Sequence, residues 1–156
     1  MRVWRLCQKR WAATAFSGRG AAENPGRWNS LGRRAVYCAE TRALAALEIL
    51  ANVENKRRLH KVEYVVIPVE VPDDLITHPA RYPSDWSAKP APRSTRDFGD
   101  RMLSKPGFPV LRVPSAVVQG EFCFVLNPAH PRFAELQIGE AETFSFDERV
   151  LKSEVD

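Results

Sequence analysis

Apolar positions gather into short runs separated by stretches rich in Gly, Pro and charge, and the period within each run predicts an element. Residues 2–6 form a short strand, and the basic, Gly-containing stretch 16–22 an ordered loop. A second strand is predicted at 35–39. Thr41 is placed to cap a helix over about 42–53. The strongest strand signal is 62–71, Val-Glu-Tyr-Val-Val-Ile-Pro-Val-Glu-Val. Its Pro68 has no N–H for a ladder, so the strand should end, bulge or run along an edge there. Residues 72–93 hold Pro72, Pro79, Pro83, Pro90 and Pro92 with Trp86, predicting a long irregular excursion over the surface. Loops of that length usually cover something. A helix over 95–103 follows, capped by Ser94 or Thr95, and then strands at 109–115, 120–128 and 143–147. The order mixes α and β without regular βαβ alternation. It predicts an α+β fold, one compact domain over residues 1–156 built on a twisted, mixed or largely antiparallel sheet.

One position breaks the pattern of its own element. Glu48 lies in Thr41-Arg-Ala-Leu-Ala-Ala-Leu-Glu-Ile-Leu-Ala, otherwise an almost unbroken apolar helix. At about 3.6 residues per turn Leu44, Leu47, Glu48 and Ala51 share one stripe, which points the carboxylate where the helix should meet a core. A lone buried carboxylate is expensive unless it is paired or hydrogen-bonded. The preceding segment 26–32, with Tyr37, supplies the expected partners. The blander alternative is a stripe facing a wet groove, with Glu48 pairing with a surface arginine.

Composition narrows the picture. The 156 residues are 44% hydrophobic, enough for one core. The first ten residues carry Arg2, Arg5, Lys9 and Arg10 without an apolar segment, and no run reaches the roughly 20 apolar residues of a membrane span. A soluble cytoplasmic protein is expected. Cys7, Cys38 and Cys123 are odd in number and lack metal or disulfide spacing, which suits reduced, buried thiols. The net charge of +4 is uneven: residues 1–61 hold thirteen Lys/Arg against four Asp/Glu, and residues 62–156 ten against fifteen. The basic first part suits a polyanion, a phosphorylated small molecule or an acidic protein partner, and equally an ordinary solvated surface.

Arg27 lies in Pro25-Gly26-Arg27-Trp28-Asn29, where glycine lets a guanidinium approach a phosphate or carboxylate, including Glu48. Ser115 follows Pro114 at a strand end, a turn signal in its own right, and no G-x-S-x-G elbow surrounds it. His60, His78 and His130 are dispersed without ligand spacing, so no metal is expected, and His130 reads as a turn residue. The adjacencies Trp4-Arg5, Arg10-Trp11 and Arg27-Trp28 keep a distant non-enzymatic, nucleic-acid-binding alternative open, although no RRM, KH or helix-turn-helix pattern accompanies them.

Taken in order, Trp4-Arg5-Leu6, Gly26-Arg27-Trp28-Asn29 with Gly32, Val36-Tyr37, Ala43-Leu-Ala-Ala-Leu-Glu48, Val113-Pro114-Ser115-Ala116-Val117 and Asn127-Pro128-Ala129-His130-Pro131 resemble the RES-domain toxins of bacterial toxin–antitoxin systems. The family is named for an arginine, a glutamate and a serine. The chain departs from it at Pro25, where the family often has glycine, and at Cys123, where it often has asparagine. The resemblance implies a fold similar to ADP-ribosyltransferase toxins and cleavage of the nicotinamide–ribose bond of NAD+ as substrate, without metal. Water or phosphate would accept the ADP-ribose, or alternatively a cellular protein target in mono-ADP-ribosylation. It implies an Xre-like antitoxin as partner and no direct nucleic-acid binding. It assigns catalysis to Glu48, Arg27 and Ser115, and NAD+ contacts to Arg5, Arg27, Tyr37 and Ser115. Glu48 would face the ribose and its developing cation, Arg27 a phosphate, Tyr37 a ring, and Ser115 the ribose or Glu48, with Arg5 a second phosphate ligand.

Overall fold

The computed structural model of the protein describes residues 1–105 and 107–152. The predicted domain end at 156 lies outside the described residues. The β-rich runs condense into strands β1 (Arg2–Gln8), β2 (Val36–Ala39), β3 (Tyr64–Glu70), β4 (Ile76–Thr77), β5 (Val110–Pro114), β6 (Phe122–Leu126), β7 (Gln137–Ile138) and β8 (Glu142–Phe144). They share one sheet in the order β4-β5-β6-β2-β1-β3-β7, with β8 also on β3. Every pairing is antiparallel except β4 with β5. The helices are α1 (Arg19–Glu23), α2 (Arg42–Asn52), α3 (Arg93–Leu103) and α4 (Glu148–Leu151). The α+β expectation is met, and among the described residues no helix is long and apolar enough to cross a membrane.

The sheet is almost two sheets. β1 and β3 pair along their full lengths from Arg2↔Glu70 to Gln8↔Tyr64, and β2 and β6 pair from Val36↔Leu126 to Ala39↔Cys123. β1 and β2 meet at a single register position, Trp4↔Ala39. Beyond it they separate and leave a seam between the halves.

Side-chain alternation gives each half two buried faces. On one face Leu6, Tyr64, Val66, Leu111, Val113, Cys123 and Val125 pack with Leu44, Ala45 and Leu50 of α2 and Leu103 of α3. On the other Val3, Val36, Cys38, Val69, Val110, Phe124 and Leu126 pack with Leu75 and Leu136. Both faces of β3 are covered, so its apolar run is nearly continuous.

Pro68 neither ends nor bulges β3. Its carbonyl accepts from Gly139 N at 2.8 Å, so its missing N–H faces the same outer side. That side is where β7, paired to Val69 and Glu70, stops short of β8, paired to Tyr64–Val66. The proline fills a gap in the outer ladder.

Three local expectations are corrected, and one element is added. Residues 16–22 contain α1 rather than only a loop, its amides following Gly18 in a left-handed turn at φ 75°. A 3-10 helix at Lys9–Thr14, which no sequence signal marked, follows β1 directly. The excursion after β3 carries the short β4, parallel to β5. Helix α3 begins at Arg93 behind Pro92, and neither Ser94 nor Thr95 caps it: the Ser94 hydroxyl goes to Asp85, and the Thr95 hydroxyl donates to Pro92 O at 2.9 Å. Thr41 does cap α2, accepting from Leu44 N at 3.0 Å.

Candidate active site

Helix α2 buries Leu44, Ala45 and Leu50, so its inward stripe is rotated from the expected one. Leu47 is 42% exposed, Ala51 is exposed, and Glu48 is half-buried at the border. The carboxylate faces a cavity of about 1320 Å³ that opens along the β1–β2 seam. Its partners come from neither the 26–32 segment nor a surface arginine. Ser115 Oγ donates to Glu48 Oε1 at 2.7 Å, and Cys123 Sγ donates to the same oxygen at 3.3 Å. Among the described residues Oε2 has no donor, leaving it to the cavity that Glu48 lines.

The serine hydroxyl has one possible orientation. Ser115 stands just past β5, 3% exposed, and its Oγ accepts from Val117 N at 3.1 Å and Val118 N at 3.0 Å. With both acceptor positions engaged, the proton is directed to Glu48. The Pro-Ser turn signal and the functional reading therefore describe one feature: the turn that follows β5 builds the donor. Ser115 itself is not among the residues lining the cavity. It holds Glu48 from behind.

A second group presents Arg27. Asn29 is completely buried and uses both ends of its amide: Oδ1 accepts from Gly26 N at 2.8 Å and the Tyr37 hydroxyl at 2.7 Å, while Nδ2 donates to Ala21 O at 2.8 Å and Arg33 O at 3.1 Å. The Tyr37 hydroxyl accepts in turn from Trp28 N at 3.0 Å. A Cβ at Gly26 would lie 2.7 Å from Tyr37 Cζ, so only glycine lets the loop settle on that ring. Burial pushes the Tyr37 phenol far above its ordinary range, and it remains a neutral hydrogen-bonding group.

Arg27 then crosses to the Pro-rich excursion. Its Nη1 donates to Trp86 O at 2.9 Å and Ala88 O at 2.7 Å. Burial pulls the guanidinium below its ordinary value, opposed by the Glu48 carboxylate, and arginine stays charged at neutral pH regardless. The excursion is fixed elsewhere by Tyr82, whose hydroxyl donates to Arg112 O at 2.8 Å and whose ring meets Trp28 edge-on. Lys89, Pro90 and Ala91 reach the cavity wall. The long loop does cover something.

Arg5 occupies the seam. Its Nε donates to Ala15 O and its Nη1 to Tyr37 O, both at 3.3 Å, bridging the backbone where β1 and β2 part. The structure thus brings Glu48, Arg27, Arg5 and Tyr37 to one cavity wall, with Ser115 behind Glu48. Sequence reasoning passed over Asn29 as a functional position and named Cys123 only as a buried thiol and a departure from the family. A polar residue between Trp28 and the loop was the available signal for Asn29.

The remaining candidates lie apart. His60 and His78 are exposed, and His130 accepts from Arg132 N at 3.1 Å at the start of a 3-10 turn. Among the described residues no His, Cys, Asp and Glu group is placed to hold a metal ion. All three cysteines are free and buried. Of the tryptophans beside arginines, Trp28 is buried against Tyr82 and Phe98 and Trp11 is exposed beside Arg10. They do not form one stacking surface.

Comparison with known proteins identifies the family. The RES domain family matches residues 2–147. The protein named Toxin Res from Yersinia enterocolitica serotype O:8 is 33% identical over 151 residues, covering 96% of this chain and 99% of that one. The Prs ADP-ribosylating toxin of Sphingobium sp. strain YBL2 is 33% identical over 156 residues, covering 96% of each. The solved M. tuberculosis MbcT-MbcA toxin-antitoxin complex contains a similar fold, with a TM-score of 0.70 over 92% of this chain and 84% of that one at 18% identity. With its motifs in order and a match from β1 to the start of α4, this chain belongs to the RES domain family.

Proposed function

We propose that this protein is the toxin of a toxin–antitoxin pair and that it consumes NAD+ by breaking the nicotinamide–ribose bond. The observation that carries the reading is the Glu48 carboxylate, clamped on Oε1 by Ser115 and Cys123 and left open on Oε2 at the wall of a cavity shared with Arg27 and Arg5. In this reaction the C1′–N bond breaks and its electron pair leaves with nicotinamide, discharging the pyridinium and moving positive charge onto the ribose. An acceptor oxygen then bonds to C1′ and releases its proton. A fixed carboxylate stabilises such an oxocarbenium-like state most where water is scarce. Arg27 and Arg5 are the candidates for the pyrophosphate and Tyr37 for packing along the nucleotide, with the cognate Xre-like antitoxin as the neutralising partner.

Water or phosphate is the favoured acceptor. A second reading, ADP-ribose transfer to a protein, is favoured by the 33% identical relative named an ADP-ribosylating toxin. Both share the bond-breaking step and the same test. Purified protein and Glu48→Gln are incubated with NAD+, with and without phosphate and cell lysate, and nicotinamide release and protein-bound ADP-ribose are followed by mass spectrometry. The glutamine carbonyl can take the place of Oε1 and keep both donors, so the variant removes charge with little change of shape. A loss of about 10²–10³ in kcat is expected. Wild-type turnover by Glu48→Gln would sink the assignment, and the mass of the ADP-ribose product separates water, phosphate and protein as acceptors.

A further inference from the structure

The two donors on Glu48 Oε1 have different standing. Ser115 is committed by the turn that binds its own hydroxyl, whereas nothing in the local chain demands a thiol at position 123. Cys123 stands on the α2 face of β6, opposite Ala39 of β2 and Val113 of β5, where any small apolar side chain would satisfy the packing. It is 9% exposed, lines the cavity, and its sulfur lies 3.3 Å from Glu48 Oε1. Burial first, and then the charge of Glu48, push the thiol far above its ordinary range. The proton therefore stays on sulfur, and the bond runs from Cys123 to Glu48. The same effect makes the thiol a poor nucleophile, which separates this residue from cysteines that react with substrate.

Resting on the proposed role of Glu48, we infer that Cys123 is a positioning residue, donating to Oε1 from β6 while Ser115 donates from the end of β5, so that the carboxylate is held with Oε2 towards the substrate. Two donors, one on β6 and one just past β5, fix both the position and the rotation of the carboxyl plane. One donor alone leaves the group free to turn about that bond, and a misaligned carboxylate loses stabilisation of the transition state before it loses substrate affinity.

The test compares Cys123→Ala with Cys123→Ser, which differ by one hydroxyl and so isolate the donor from packing. The alanine variant should release nicotinamide about tenfold more slowly, with KM within about twofold, and serine should restore most of the loss. Infrared spectroscopy supplies a readout independent of turnover. The S–H stretching band that disappears in Cys123→Ser should move to higher frequency in Glu48→Ala, as expected for a thiol released from its acceptor. Equal kcat for the alanine and serine variants, or a Cys123 band indifferent to Glu48→Ala, overturns the inference while leaving the NAD+ reading intact. Absence of nicotinamide release from the folded wild-type protein overturns the NAD+ reading and this role with it, even where the band shift shows the thiol–carboxylate bond itself.

Discussion

Asn29→Ala tests whether the presentation of Arg27 is built from within the fold. The native amide is fully buried and makes five contacts of 2.7–3.3 Å: it accepts from Gly26 N and the Tyr37 hydroxyl and donates to Ala21 O, Arg33 O and Ser30 O. Each such bond contributes about 0.5–1.5 kcal/mol net, and each buried partner left unpaired costs roughly 1–3 kcal/mol. Trp28 N still reaches the Tyr37 hydroxyl, and partial relaxation lets water meet some of the rest. The expected destabilisation is therefore about 3–5 kcal/mol, at the upper end for one substitution. Urea unfolding followed by tryptophan fluorescence measures it, and calorimetric titration with NAD+ measures the accompanying loss of affinity as Gly26–Arg27 comes free of Tyr37. Asn29→Asp sharpens the test. It keeps the acceptor but turns a carboxylate oxygen towards the Ala21 and Arg33 carbonyls, so it should be at least as damaging as alanine. A loss below about 1 kcal/mol for Asn29→Ala, or an aspartate variant as stable as wild type, would refute the account of Asn29 as the hub of the arginine loop.

Ser115→Ala should slow nicotinamide release about 10–100-fold and lower stability by roughly 2–4 kcal/mol, because it removes a donor to a charged group and strands two backbone amides. Wild-type stability in urea would refute the turn account, and wild-type turnover the positioning one. Arg27→Ala should weaken NAD+ binding at least about tenfold and expose the excursion near Trp86 and Ala88 to limited proteolysis. Unchanged cleavage there would show that the loop holds its place without the guanidinium. On the alkaline side, burial pushes the Cys38 thiol from 9.0 up to about 12. A raised folded value means that its contribution is complete below the unfolded value and is lost as pH climbs from about 9 towards 12, at up to about 1.4 kcal/mol per pH unit. Urea titrations across this range should show the decline, and Cys38→Ala should flatten it. Equal slopes for the two proteins would remove Cys38 as a source.

Elements whose information is local could be read from the chain. Thr41 bonds to Leu44 three residues on, and β3 declares itself by the β-branched run Val65-Val66-Ile67 with Val69 beyond the proline. Glu48 was conspicuous for the same reason, as a charge inside an apolar period. Its partners were not legible, because Ser115 and Cys123 lie 67 and 75 residues away and reach it only through the β2–β6–β5 register. The orientation of α2 was misjudged because Leu47 fits the apolar period yet remains exposed. Asn29 hides in a short polar stretch, since a buried amide and a turn amide look alike until the carbonyls of Ala21 and Arg33 are brought to it. Arg5 lines the cavity, as a phosphate ligand must, and two of its N–H groups also hold the backbone carbonyls of Ala15 and Tyr37. That arrangement follows from β1 and β2 pairing at one position, which no hydrophobic pattern encodes.

The charges around the cavity give the proposed reaction a direction. Arg5, Arg27, Lys89 and Arg96 line it opposite the carboxylate of Glu48. NAD+ carries its negative charge on the pyrophosphate and its positive charge on the nicotinamide ring. A carboxylate placed against the ring would attract the cation before the bond breaks and lose that attraction afterwards, stabilising substrate more than transition state. Placed beside the ribose, it gains attraction as charge leaves the pyridinium for C1′ and the ring oxygen, and that differential accelerates the step. The proposed mechanism therefore requires Oε2 to face the ribose, with the cationic side chains holding the phosphates at a distance from it. Under this arrangement Glu48→Gln loses turnover while its affinity for NAD+ changes little. A variant that instead lost affinity and kept kcat would put the carboxylate against the ring, where it could anchor the dinucleotide but not drive its cleavage.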